Sequence, residues 1–163
     1  MAQVPEPTPP DYRLITRWSL PAPADRVWQV LADPELDWSR WWPGLTSDGT
    51  PRPVRDGGAA TVGSRAAYAL RPARWAYALH FTLEITRSDP PHRAAMTVTG
   101  DLDGTGLVRI EPAPEGSTLE LDWRVRTTRP WMVRSGRLLA PLFRRAHAHA
   151  MDRGARGLRE HLG

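Results

Sequence analysis

The chain has five histidines, three tyrosines and no cysteine, and those counts bound its chemistry. Without a thiol there is no disulfide, no thiolate metal ligand and no cysteine nucleophile. No serine elbow and no glycine-rich phosphate loop is present. Gly104-Thr105-Gly106 reads as a hairpin turn, because no helix follows it. His80 and Glu84 stand four residues apart on one strand pattern and point the same way. Neither His92 nor His149 stands at a fixed spacing that would complete a metal site with them. His147 and His149 are two apart on a helical pattern and diverge. The expectation is no metal and no cofactor.

What remains is hydrogen bonding or proton transfer by single side chains. His147 lies near the apolar stripe of the C-terminal helical pattern, where an imidazole could be a general acid/base or a ligand donor. The bland alternative is a boundary histidine bonded to a backbone carbonyl. Tyr77 shares a strand face with Trp75 and Phe81, where a phenol could orient an enol or a carbonyl. An ordinary core tyrosine explains it equally well, and Tyr68 on the neighbouring strand carries the same two readings. Trp18 and Trp123 fall on the apolar faces of their strands, as core or as cavity wall.

These side chains need elements to hold them. Residues 1–10, MAQVPEPTPP, are too rich in proline for helix or ladder and read as a disordered lead-in. A single domain is expected over residues 11–163. Tyr12 to Leu20 alternate as a half-buried strand. Pro23 and Asp25 open a short helix with Val27, Val30 and Leu31 on one face, which Asp33-Pro34 stops. A second short helical piece covers Glu35 to Trp41. Strands are then predicted over Gly63–Leu70, Trp75–Thr86, His92–Leu102, Leu107–Pro112 and, after Pro114-Glu115-Gly116, through Leu119, Leu121, Trp123 and Val125. A long helix follows from Trp131 to Leu162, with Leu139, Leu142, Phe143, Ala146, Ala150, Gly154, Leu158 and His161 on one stripe and a kink or break at Pro141 near Leu138. The fold class is α+β: a curved antiparallel sheet of six to seven strands wrapped around a long C-terminal helix, with two short helices after strand 1. That shape tends to leave a cavity between helix and sheet.

Composition narrows the classes further. The chain has 163 residues, 40% of them hydrophobic, with eight Trp against two Phe, which suits a core or an amphipathic pocket wall. All 22 basic residues are arginine, and they are dispersed, so the formal net charge of +4 does not argue for nucleic-acid binding. Arg134, Arg137, Arg144, Arg145, Arg153, Arg156 and Arg159 read as a solvated helix face, the more common case, with a membrane-surface or nucleic-acid patch as the alternative. No apolar run approaches the ~20 residues that span a bilayer, and no signal-peptide pattern opens the chain, so a cytoplasmic protein without integral membrane association is expected.

The order of elements, together with Leu20-Pro21-Ala22-Pro23-Ala24-Asp25-Arg26-Val27-Trp28, the Trp38…Trp41-Trp42-Pro43-Gly44 exit and the His147–Leu158 segment, resembles the SRPBCC (START/Bet v 1-like) superfamily, in its bacterial polyketide cyclase/dehydrase-like branch. The resemblance covers about residues 11–162. It implies the helix-grip fold and a cavity that takes a lipid- or polyketide-like molecule. Nothing matched is a catalytic signature, and fold alone does not assign a role. Three functions stay open: a carrier of an apolar or aromatic small molecule, a cyclase, aromatase or dehydratase that folds a polyketone around one or two polar groups, and a protein-interaction module with a vestigial cavity. Candidate ligand-binding residues are Tyr68, Trp75, Tyr77, Phe81, Met96, Trp123, Phe143 and His147, with His147 and Tyr77 the catalytic candidates. A homodimer stays open.

Overall fold

In the computed structural model, residues 12–74 and 76–163 are described. The lead-in and the proposed wall residue Trp75 lie outside the described residues. Strand β1 (Tyr12–Leu20) leads through Pro21 and Pro23 into helix α1 (Ala24–Leu31). A single 3-10 turn, Trp38–Arg40, replaces the longer piece predicted over Glu35–Trp41. Strands β2 (Leu45–Ser47), β5 (Arg65–Leu70), β6 (Leu79–Asp89), β7 (Arg93–Gly100), β8 (Leu102–Ala113) and β9 (Gly116–Thr127) join β1 in a curled seven-stranded antiparallel sheet of order β1-β9-β8-β7-β6-β5-β2. A two-stranded ribbon, β3 (Arg55–Asp56) with β4 (Ala59–Ala60), stands apart. Helix α2 (Pro130–Leu162) crosses the concave face, completing the helix-grip fold.

Three local expectations are corrected. Gly104 and Gly106 lie inside β8, and the reversal falls at Gly100-Asp101. Their glycines serve close approach, not a turn: a Cβ on Gly104 would stand 2.0 Å from the Arg124 carbonyl oxygen, and one on Gly106 would meet the Trp123 ring at 2.9 Å. Tyr77 precedes β6, because the Ala73–Ala76 turn, clasped by Arg71 donating to the Ala76 carbonyl at 2.9 Å, takes up that stretch. Of the kink or break expected at Pro141, the break does not occur, and α2 runs on through it. Pro141 and Arg137, whose carbonyl loses its i+4 donor, are both exposed, so water can take the place of the missing N–H.

The core divides along α2. Its C-terminal half packs tightly: Ala150, Met151, Gly154, Ala155, Gly157 and Leu158 are buried, while His161, placed on the stripe by the periodicity, is exposed. The glycines admit the Trp41-Trp42-Pro43 segment. A Cβ on Gly157 would fall 1.8 Å from the Trp41 carbonyl oxygen, and one on Gly154 would strike the Trp42 indole at 2.6 Å. Trp42 donates its Nε1–H to the Ala150 carbonyl at 3.0 Å, locking helix to loop. Trp18 stacks edge-on against Trp42, and Trp28 and Val27 bury the inner face of α1 beside them. The N-terminal half of α2 has no such filling beneath it.

Candidate functional site

Under that half lies a cavity of about 610 Å³. Its floor is the concave sheet, where Tyr68 and Leu70 of β5, Leu79, Phe81 and Leu83 of β6, Val98 of β7 and Trp123 and Val125 of β9 point inward on alternate positions. Its roof is Met132, Leu139, Phe143, Ala146, His147, Ala150 and Met151 of α2. The volume falls within the range of small-molecule sites. Of the eight expected wall residues, Tyr68, Tyr77, Phe81, Trp123, Phe143 and His147 border this space. Met96 does not. It is buried and lines a second void of about 50 Å³, which Trp28 and Trp41 also border.

The polar groups of the wall are few, and among the described residues no carboxylate is one of them. The Tyr68 hydroxyl donates to the Leu36 carbonyl, and burial, reinforced by Asp37, pushes its ionisation well above the usual phenol value. It is a structural bond, and the ring, stacked on Trp38 at 5.7 Å, serves as wall. His147 differs. Burial alone drives its pKa from 6.5 down to about 4, so the ring is neutral at pH 7. Its Nε2 is buried without a hydrogen-bond partner, as is the Nε1 of Trp123. The two are polar handles in an apolar wall.

Tyr77 stands at one end of the cavity and is 43% exposed. Its ring meets Trp131, in the first turn of α2, edge-on at 5.6 Å, and the Arg129 guanidinium lies over the ring, 5.8 Å from its centroid. Arg129 is itself held by Asp101, which accepts its Nε–H at 2.6 Å and the His80 backbone N–H at 2.9 Å. Burial raises the Asp101 pKa, but these donors outweigh it and keep the carboxylate below its ordinary value. The loop before β6, the β7–β8 reversal and the start of α2 are thus tied together at the mouth. A second aromatic contact, Tyr12 with Phe143 at 6.3 Å, ties the roof to the sheet edge.

Trp131 and Met132 were not singled out from the sequence as wall residues. The available signal was Pro130 at the helix start, which fixes both in the first turn. His80 and Glu84 are engaged elsewhere: His80 Nδ1 lies 2.7 Å from Asp48 and Glu84 pairs with Arg65 at 2.6 Å.

A curled antiparallel sheet closed by one long helix over an apolar hollow defines a helix-grip domain with a ligand-sized interior. Residues 16–163 match the family described as polyketide cyclase / dehydrase and lipid transport, and the chain belongs to that family. The sequence matches no curated protein. Among solved structures, TTHA0849 from Thermus thermophilus superposes with a TM-score of 0.72 at 20% identity, over 93% of this chain and 97% of that one. Ms6760 from Mycobacterium smegmatis gives 0.64 at 17% identity over 93% and 90%, and a conserved protein from Geobacillus kaustophilus 0.61 at 13% over 91% and 94%. At such identities the likeness is one of fold.

Proposed function

We propose that the chain binds an apolar or aromatic small molecule, lipid- or polyketide-like, between the sheet and the N-terminal half of α2. The observation that carries this reading is the cavity of about 610 Å³ with a wall almost wholly of aliphatic and aromatic side chains. Emptiness on that scale is costly in a protein interior unless something fills it. A vestigial-cavity module would have packed this space as the C-terminal half of α2 is packed.

Binding is favoured over turnover by the state of the polar groups. Tyr68 is committed to a backbone carbonyl and Tyr77 sits partly in solvent, edge-on to Trp131. That leaves His147, whose Nε2 has no partner among the described residues and whose ring burial holds neutral. A lone neutral imidazole suffices to orient a ligand; cyclisation with loss of water asks for a second convergent acid.

The test is native mass spectrometry of the chain purified from its own host, set against a denatured sample. The expected result is a mass excess of a few hundred daltons that denaturation releases. A chain that leaves its host empty, and that also fails to take up Nile red, would overturn the reading.

A further inference from the structure

We propose that the outward face of the N-terminal two-thirds of α2 docks on the surface of an anionic lipid bilayer. Residues 123–151 contain no Asp or Glu. Within α2 this stretch carries Arg134, Arg137, Arg144 and Arg145, all exposed, which together equal the whole formal net charge of +4. None of the four takes part in an ion pair among the described residues. On the sheet, by contrast, Arg13, Arg17, Arg65 and Arg87 each sit against a carboxylate.

The same face presents apolar side chains. Leu138 is 85% exposed, Val133 58%, Trp131 45% and Leu142 43%. Cations interleaved with protruding Leu, Val and Trp on one helix match an interface that is negative at its surface and apolar beneath it. A nucleic acid would neutralise the arginines and leave Leu138 and Val133 in water. Trp131 and Leu142 also border the cavity, so its apolar wall continues onto this outer face. A molecule leaving the cavity there would meet acyl chains before it met water. No helix among the described residues is long and apolar enough to cross a membrane, so the contact is a surface one.

The experiment is co-sedimentation of the full chain with vesicles of phosphatidylglycerol and phosphatidylcholine in equal parts, and with vesicles of phosphatidylcholine alone. The mixed vesicles should bind it, and added salt should weaken that binding. Each arginine near such a surface is worth about fivefold in affinity, so Arg134→Gln with Arg137→Gln should weaken binding by about 25-fold. Leu138→Gln should weaken it at low salt as well. All three positions are exposed, and circular dichroism melts confirm that the variants stay folded. Equal binding to both vesicle types, no binding, or binding indifferent to the arginine pair would overturn the proposal. Tighter binding to duplex DNA that the arginine pair abolishes and Leu138→Gln leaves intact would overturn it in favour of a general polyanion site. Arg134 and Arg137 do not line the cavity, so Nile red binding in vesicle-free buffer should be the same in the arginine variant and the wild type.

Discussion

Replacing His147 by leucine should change how stability depends on pH, in a window the structure sets. The imidazole titrates at about 4 in the folded chain against 6.5 when unfolded. The unfolded state therefore takes up the proton first as the pH falls. Between 6.5 and about 4 it holds more protons than the folded state, so stability drops through that window and levels off below it. Each pH unit of the gap is worth about 1.4 kcal/mol, so the full loss is about 3 kcal/mol. Nothing at the cavity opposes it among the described residues, because no carboxylate lines the wall, and the Arg145 guanidinium there is positive. The assay is urea unfolding of wild type and His147→Leu at intervals from pH 7.5 to pH 4, a range of conditions chosen around the shift. Asp37, Asp101 and Asp122, all held below the ordinary carboxylate value, lose their contribution at lower pH and do so equally in both proteins. The difference between the two curves isolates His147: leucine should gain on histidine steadily as the pH falls. Parallel curves would refute the argument that this ring is buried away from water and counter-charge.

Other perturbations probe the packing and the mouth. Gly157→Ala should destabilise the fold by about 2 kcal/mol, because overpacking outweighs the ~1 kcal/mol that alanine brings to a helix. Gly136→Ala on the same helix, with nothing within 4 Å of the new Cβ, should raise the thermal midpoint instead. Trp28→Ala should cost about 3–5 kcal/mol in chemical denaturation, as for a buried core aromatic. Trp131→Ala removes the edge-on contact with Tyr77 and should speed Nile red release in stopped-flow several-fold while leaving the melting temperature nearly unchanged.

Much of this fold could be read from period and punctuation. β1 and β9 alternate cleanly, and the structure pairs them in register from Tyr12 with Val125 to Leu20 with Ser117. Leu20-Pro21-Ala22-Pro23 marked the exit to α1, and the long 3.6-residue period from Trp131 to Leu162 marked α2. Failures fell where tertiary contact overrode local chemistry. Gly104-Thr105-Gly106 has the composition of a turn, but its glycines make room for Arg124 and Trp123 of the neighbouring strand. Tyr77 continues the alternation of β6 on paper, yet the Arg71 clasp on Ala76 holds it in the loop. The division of α2 into a packed half and a roofing half was only half visible. The small residues Ala146, Ala150, Gly154 and Gly157 suggested either close packing or space left open, and nothing local to them decides that Gly154 and Gly157 meet the Trp41-Trp42 segment while the sheet stands away from Ala146. A cavity belongs to the curvature of seven strands, and curvature is not written at any one position.

If the space beneath the N-terminal half of α2 is the binding site, filling it must abolish binding. The most direct measurement is a titration of the chain with Nile red, in parallel with Ala146→Trp, which places an indole in the cavity from the roof. The wild type should show saturable one-to-one binding with a blue-shifted emission, and the variant at least tenfold weaker binding at an unchanged melting temperature. Undiminished binding by the folded Ala146→Trp chain would place the apolar site elsewhere and contradict the account.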